Sequence, residues 1–388
     1  MSIFFRSQNR TSLVDTFLNQ PVMFYLKTTE TCQLNCKHCF TNGTNGAKIF
    51  FNVNETLDFF KRISEVNPNV TGNISFHGGE PMLAPIADMD IVATEIKKML
   101  PNIWWSITTN LTYKLTDEIK NFFNAHFKDT AIGTSWDLDI RFANKNQQQL
   151  WKDNLKWLID NGFNVTLMVS ISKNLTKMPI TEFFDFVEST GVNYLHLERI
   201  TMDGNANHHP DIFPSNVELD DWFMKMWKVY EDYPKYRRLF SNEFLNSILT
   251  VVVNQMHSGC RCRECEQKIL TLNADGTIGG CPNSAPTKMF AKITDSLENI
   301  FYNPQRMCNI NNELTRSQHC WNCEVVDICN GDCHQLNWET VDGTKISNPD
   351  DYEVVVCPAP KTLMKYLKEQ NNISLYNEVL NGFMGAEK

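Results

Sequence analysis

The sequence predicts an α/β protein, a partial (β/α)6 barrel followed by a small cysteine-rich domain. Three observations carry that expectation. Short β-rich runs alternate with helical patterns six times over the first two-thirds of the 388 residues, the thirteen cysteines are clustered, and none lies between Cys39 and Cys260. Repeated strand–helix alternation implies a parallel sheet with right-handed crossovers, and six units fall short of the eight that close a full barrel.

In chain order, strands are expected at 22–27, 73–77, 103–108, 131–136, 164–171 and 193–200, each β-branched or aromatic and bounded by Asn, Gly or Pro. Helices are expected at 54–66, 88–100, 116–127, 147–161 and 181–190. In the first, Leu57, Phe60, Ile63 and Val66 recur at near-helical spacing, and Asn54 is placed to cap the start. From 216 to 258 the pattern turns helical and aromatic, with Trp222, Trp227, Tyr230, Tyr233 and Tyr236. Packing helices are one reading of this bridge, and a surface for an extended peptide is the other. From 259 to 360 the chain is turn-rich, and such a region needs bound metal as a staple. An N-terminal extension at 1–20, the barrel at 21–215 and a closing amphipathic helix at 361–388 complete the expected divisions.

Composition excludes several classes. With 42% hydrophobic and 21% charged residues the chain is a soluble globular one, not a disordered one. No run approaches the ~18 apolar residues of a membrane span. The segment after Phe5 is too polar for a signal-peptide core. A net charge of −9 speaks against coating nucleic acid. Neither membrane nor nucleic acid is an expected partner, and the cytoplasm is the expected compartment. An odd number of cysteines without an export signal reads as metal or iron–sulfur ligands.

Cys32, Cys36 and Cys39 form C-x3-C-x2-C directly after the first strand. Three thiolates in one tight loop hold three irons of a [4Fe–4S] cube and leave the fourth open. A zinc loop with His38 as fourth ligand is the alternative. Barrel chemistry belongs to loops at the C-terminal ends of strands, where this motif falls.

The segment CQLNCKHC resembles the signature of the radical S-adenosylmethionine (SAM) superfamily. Gly78-Gly79-Glu80-Pro81 resembles its GGEP segment, which implies that backbone and carboxylate hold the amino group of SAM. Glycines admit close backbone approach, and a carboxylate complements an ammonium. Thr108-Thr109-Asn110 is similar to the family's TNG turn, with Leu111 in place of glycine. Ser135-Trp136-Asp137 is similar to the S-x-D segment that meets the ribose. Arg141, four residues after Asp137, is closer than the family's SAM-carboxylate arginine; it is that residue or a surface arginine. His196 and Glu198 alternate on the sixth strand, facing substrate or lying in the core.

Cys265-x10-Gly276-x4-Cys281, then Cys320-x2-Cys323-x5-Cys329-x3-Cys333 and a distant Cys357, resembles the SPASM domain. The resemblance implies a radical SAM barrel followed by a SPASM domain with two auxiliary [4Fe–4S] clusters. Cys260, Cys265, Cys281 and Cys333 would hold the first; Cys320, Cys323, Cys329 and Cys357 the second. Cys262 competes with Cys260, and Cys308 is a spare. A zinc ribbon would leave the x5 and x3 spacings and the surplus thiols unexplained.

The implied enzyme is an oxidoreductase that reductively cleaves SAM to a 5′-deoxyadenosyl radical. Its expected substrate is a ribosomally made precursor peptide, cross-linked through carbon–carbon, ether or thioether bonds. The runner-up is sulfatase maturation, oxidising Cys or Ser to formylglycine. In that class an aspartate base follows the cysteine of the G-x4-C segment, and here Pro282 stands there. The third reading is a non-catalytic iron–sulfur or zinc protein, against which the intact GGEP segment weighs. Expected partners are an electron donor such as flavodoxin or ferredoxin and, since only 31 residues precede Cys32, a separate leader-binding protein unless the barrel edge or bridge grips the leader.

Overall fold

The computed structural model describes residues 12–283 and 288–383. Residues 1–11 of the expected extension and 384–388 of the expected closing helix lie outside them. Helix α1 (Leu13–Leu18) opens on a capping box between Ser12 and Asp15. The barrel units follow as β1 (Val22–Lys27), α2 (Val53–Val66), β2 (Gly72–His77), α3 (Ile86–Met99), β3 (Ile103–Thr108) and α4 (Asp117–His126). They continue with β4 (Ala131–Ser135), α5 (Lys145–Asp160), β5 (Asn164–Ser170), α6 (Ile180–Thr190) and β6 (Tyr194–Glu198).

Each strand has an apolar face and a mixed one. In β1, Val22, Phe24 and Leu26 are buried in the main core, so Met23, Tyr25 and Lys27 share the opposite face, toward the lumen. The same alternation aims Trp104, Ser106 and Thr108 of β3 inward while Trp105 and Ile107 are core. In α2 the cap is Asn52, not Asn54: Asn52 is extended and its side chain accepts from the Glu55 N–H, whereas Asn54 already lies in the first turn.

Strands β1 to β6 pair in parallel and in sequence order. The sheet stays open, because β6 pairs onward with β7 (Ser241–Asn242) and the outer edge of β1 pairs with a strand from the cysteine-rich region. Around β7 lie α7 (Asn216–Asp232) and α8 (Glu243–Asn254). Trp222, Trp227, Tyr230 and Tyr236 are all core, which leaves Tyr233 as the exposed aromatic of the bridge. The bridge is therefore packing structure and not a peptide platform.

The cysteine-rich region starts with α9 (Cys265–Lys268), β8 (Ile269–Leu272), β9 (Thr277–Gly279) and β10 (Ala291–Lys292). β8 is parallel to β1, Met23 beside Ile269, and β9 and β10 follow antiparallel, giving a ten-stranded sheet. Then come α10 (Leu297–Phe301), α11 (Pro304–Leu314), α12 (Val326–Cys329) and a small sheet of β11 (Trp338–Thr340), β12 (Lys345–Ile346) and β13 (Val355–Val356). The single closing helix expected at the end is two, α13 (Lys361–Gln370) and α14 (Ile373–Asn381). Asn371 breaks them with φ 47°, a left-handed conformation that Asn tolerates.

Candidate active site

The loop after β1 carries the first cysteine set at the C-terminal end of the sheet. It is held from several sides. The Asn205 N–H donates to Cys39 O (2.9 Å), and Asn205 Nδ2 donates to Asn35 Oδ1 (2.8 Å) and Cys36 O (3.2 Å). Gly204, at φ 55°, sits so close that a Cβ would lie 2.2 Å from Thr41 O. Cys32 Sγ accepts from the Leu34 N–H (3.3 Å) and from Asn110 Nδ2 (3.4 Å), while Cys39 Sγ and Thr41 Oγ1 share a 3.1 Å hydrogen bond. Burial pushes the Cys32 thiol up to about 12 and the Cys36 thiol up to about 11. That burial disfavours free thiolates, so the protons would leave only against a bound cation's charge; the hydrogen bonds aimed at sulfur suit a soft metal cluster. His38 is not part of that set. Its Nε2 lies 3.3 Å from Asp137 Oδ2 and 3.3 Å from an Arg141 Nη2, and burial lowers it to about 4. Among the described residues no three His, Cys, Asp or Glu side chains gather as a single-ion site.

Gly78 and Gly79 make the second strand end fit against this loop. The Gly79 and Glu80 N–H groups donate to Thr29 O and Thr31 O, both at 2.9 Å, and a Cβ on Gly79 would lie 2.1 Å from Thr31 O. Glu80 is a brace. Its Oε1 accepts from Met82 N–H (3.0 Å) and Thr109 Oγ1 (2.6 Å), and its Oε2 accepts from Asn110 N–H (2.7 Å). Three of a carboxylate's roughly four acceptor positions are thus taken within the protein. Pro81 starts the next turn and accepts from Thr28 Oγ1. Leu111, where the resembled turn has glycine, is buried at φ 53°.

Ser135 ends β4 on its half-buried face. Asp137 Oδ1 accepts from the Ser170 N–H (2.6 Å), and Oδ2 accepts from Arg141 Nε. Burial opposes the charge of Asp137, yet Arg141 and His38 hold its carboxyl below the usual range. Arg141 is thus no surface arginine but the half of a buried ion pair beside the cysteine loop. Asn174, in the loop after β5, reaches only the exposed Asp139.

On β6, His196 lies between two carboxylates, with Glu243 Oε2 at 2.8 Å from Nδ1 and Glu198 Oε1 at 3.6 Å from Nε2. Burial opposes its charge, but Glu243 and Glu198 raise it to about 9. A cavity of about 780 Å³ opens at the N-terminal ends of the strands, lined by Met23, Trp104, Tyr194, Glu243, Cys262 and Cys265. Trp104 is 66% exposed there. The sequence reading missed Gly204, Asn205, Trp104 and Glu243. The inward parity of Trp104 on its strand was the one signal available.

The remaining cysteines assemble in two groups. Cys265 and Cys333 beside Cys260 hold its thiol well below the ordinary value, and Cys281 is close enough to raise Cys265. Cys262 instead donates to His257 O (2.9 Å), outside the group. Cys320, Cys323, Cys329 and Cys357 line one cavity of about 600 Å³. Cys308 is exposed on α11, beside Asn312.

Residues 26–187 match the family model of the radical SAM superfamily. The chain carries a radical SAM domain. It is an enzyme whose fold implies SAM and a [4Fe–4S] cluster. No curated protein matches the chain. In fold it is similar to anSMEcpe with bound AdoMet and the Cp18Cys peptide, at 15% identity and TM-score 0.74, over 93% of this chain and 99% of that one. It is also similar to SuiB of Streptococcus suis bound to precursor peptide SuiA, at 15% identity and TM-score 0.61, over 82% and 73% of the two chains. The likeness to the first runs through the cysteine-rich region, which fits a SPASM-like domain behind the radical SAM domain. Among the described residues no helix is long and apolar enough to cross a membrane.

Proposed function

We propose that this radical SAM enzyme is a SPASM maturase that oxidises side chains of a ribosomally made peptide and joins two of them in an intramolecular cross-link. The observation that carries the reading is the gathering of Cys260, Cys265, Cys281 and Cys333 beside the barrel mouth, with Pro282 after Cys281. Proline has no side chain able to take a proton. Cys32, Cys36 and Cys39 would hold the SAM-binding cluster, and the two groups of four would hold auxiliary clusters. When bound, SAM and its cluster supply a 5′-deoxyadenosyl radical that takes a hydrogen atom from substrate.

This chain's residues do the rest. Gly78, Gly79 and Pro81 would offer SAM their backbone, and Glu80 fixes Thr109 and Asn110 beside them. Ser135 would meet the ribose, while Asp137 and Arg141 hold the wall behind the cysteine loop. The cavity at the N-terminal mouth admits an extended peptide. At roughly 3.3 Å per residue, about five residues cross the length of the six-residue strands. Both fold neighbours were solved with a peptide bound, which supports a peptide substrate.

A second reading is sulfatase maturation, favoured by the near-complete coverage of anSMEcpe. Anaerobic turnover of candidate precursor peptides, followed by mass spectrometry, separates the two. Loss of two hydrogens with fragmentation suppressed between two residues supports the cross-link. A hydrazine-trapped aldehyde at one Ser or Cys establishes the second reading, and an epimer of unchanged mass defeats both.

A further inference from the structure

Lys27 is the only lysine or arginine in the six barrel strands. It stands on the lumen face of β1 with Met23 and Tyr25, and it is only 7% exposed. Among the described residues its ammonium makes no hydrogen bond or ion pair. The stem of Lys27 is buried while its Nζ still reaches open space in the lumen, so the ammonium is largely desolvated and left without a counter-charge to meet there. Beside it on β2 stands His77, whose buried Nδ1 also lacks a partner and whose ring meets Tyr25 edge-on at 5.5 Å. Glu30 and Asp275 act on Lys27 only from beyond ion-pair distance.

The location is informative. The charges that Lys27 feels include those of Cys39, from the first cysteine set, and Cys281, from the group around Cys260. The residues resembling SAM contacts sit at the ends of β2 to β4, on the far side of β1 from β8. Lys27 therefore faces the lumen within electrostatic reach of both the first cysteine set and the Cys260 group.

We infer that Lys27 and His77 form a carboxylate subsite in the barrel lumen, which takes an Asp or Glu side chain of the peptide. One ammonium and one neutral imidazole N–H match a single negative charge. A phosphate dianion would be left half-compensated near Glu30 and Asp275. The inference rests on the peptide reading above and adds the chemistry of one substrate position.

The test uses the full chain as reconstituted holoenzyme with SAM, immobilised anaerobically. The probe is a positional-scanning library of N-acetylated, C-amidated dodecapeptides, so that termini carry no charge. Wild type and Lys27→Arg should enrich Asp or Glu over Asn and Gln at one position by about tenfold, as expected for a charge-assisted hydrogen bond. Lys27→Met should abolish that preference, and Lys27→Glu should turn it toward Lys or Arg. An absence of acid preference in wild type, or its survival in Lys27→Met, overturns the inference. SAM affinity is measured in parallel by equilibrium dialysis. An equal affinity in Lys27→Met supports the assignment, whereas a tenfold loss means that the ammonium serves the carboxylate of SAM and overturns it. Dithionite-driven SAM cleavage by wild type is scored separately, since its failure would sink the proposed function and not the acid preference.

Discussion

Arg199 lies flat against Asp332, with Nη1 donating to Oδ2 and Nη2 to Oδ1, both at 2.8 Å. The pair is buried and ties the residue after β6 to the residue before Cys333. Arg261 adds a second guanidinium at 3.5 Å from the same carboxylate, and Arg263 binds the Asp332 carbonyl at 2.8 Å. The barrel and the cysteine group around Cys260 are thereby locked at one point.

Asp332→Asn leaves two buried guanidinium groups without their counter-charge and should cost about 3–5 kcal/mol. Urea melts would measure it, and iron content should fall with it. Burial opposes the charge of Asp332, but Arg199 and Arg261 hold its carboxyl far below the usual range. The contribution is therefore complete above about pH 4, the unfolded value, and declines only as pH falls further toward the folded one. A pair lost already at pH 6 would contradict this.

Glu80 has the opposite sign. Burial raises its carboxyl to about 7 despite three donors. A raised carboxyl contributes fully below its unfolded value of 4.5 and loses that contribution as pH rises through 7. Relative to Glu80→Gln, wild-type stability should fall by up to about 3 kcal/mol across that window. Paired chemical melts at several pH values read the difference, and parallel curves refute it.

Cysteine variants should sort by group. Wild type reconstituted anaerobically should hold about twelve irons, with zinc sub-stoichiometric. Cys260→Ser should lose about four of them, while Cys262→Ser and Cys308→Ser keep all. Replacing Cys32, Cys36 and Cys39 by Ala should abolish SAM cleavage yet spare the other clusters. A total near four irons in wild type would remove both auxiliary assignments.

Gly204→Ala tests the clasp on the cysteine loop. The added Cβ would meet Thr41 O and Cys39 O at 2.2 and 2.6 Å, in a left-handed backbone conformation. About 2 kcal/mol of destabilisation is expected. Chelator challenge followed by electron paramagnetic resonance should show the SAM-site cluster lost faster than the others.

The six parallel strands were legible because each alternates a core face with a lumen face, as Val22, Phe24 and Leu26 do against Met23, Tyr25 and Lys27. The aromatic bridge carried its answer too: Trp222, Trp227 and Tyr230 follow helical spacing on one side of α7. What escaped notice depends on chain segments far apart. Glu243 reaches His196 across 47 positions, and Asn205 reaches Asn35 across 170. Neither residue has a local pattern that marks it. β7 is two residues long, too short for any periodicity. The protein contacts of Glu80 and Arg141 were not legible for the same reason as those of Glu243 and Asn205: Thr109 and Asn110 reach Glu80, and His38 reaches Arg141, from other loops.

The pairing of β8 with β1 makes the cysteine-rich region a poor candidate for transplantation. Cutting before α9 would strip four residues of ladder from the first barrel strand, bare its backbone along an open edge, and invite neighbouring molecules to pair there. A chimaera that borrows this region from another enzyme must preserve the Met23–Ile269 register, since a one-residue slip would turn Leu270 and Leu272 out of the core. Inheritance of barrel and cysteine domain as one unit is what that hydrogen-bonded seam demands.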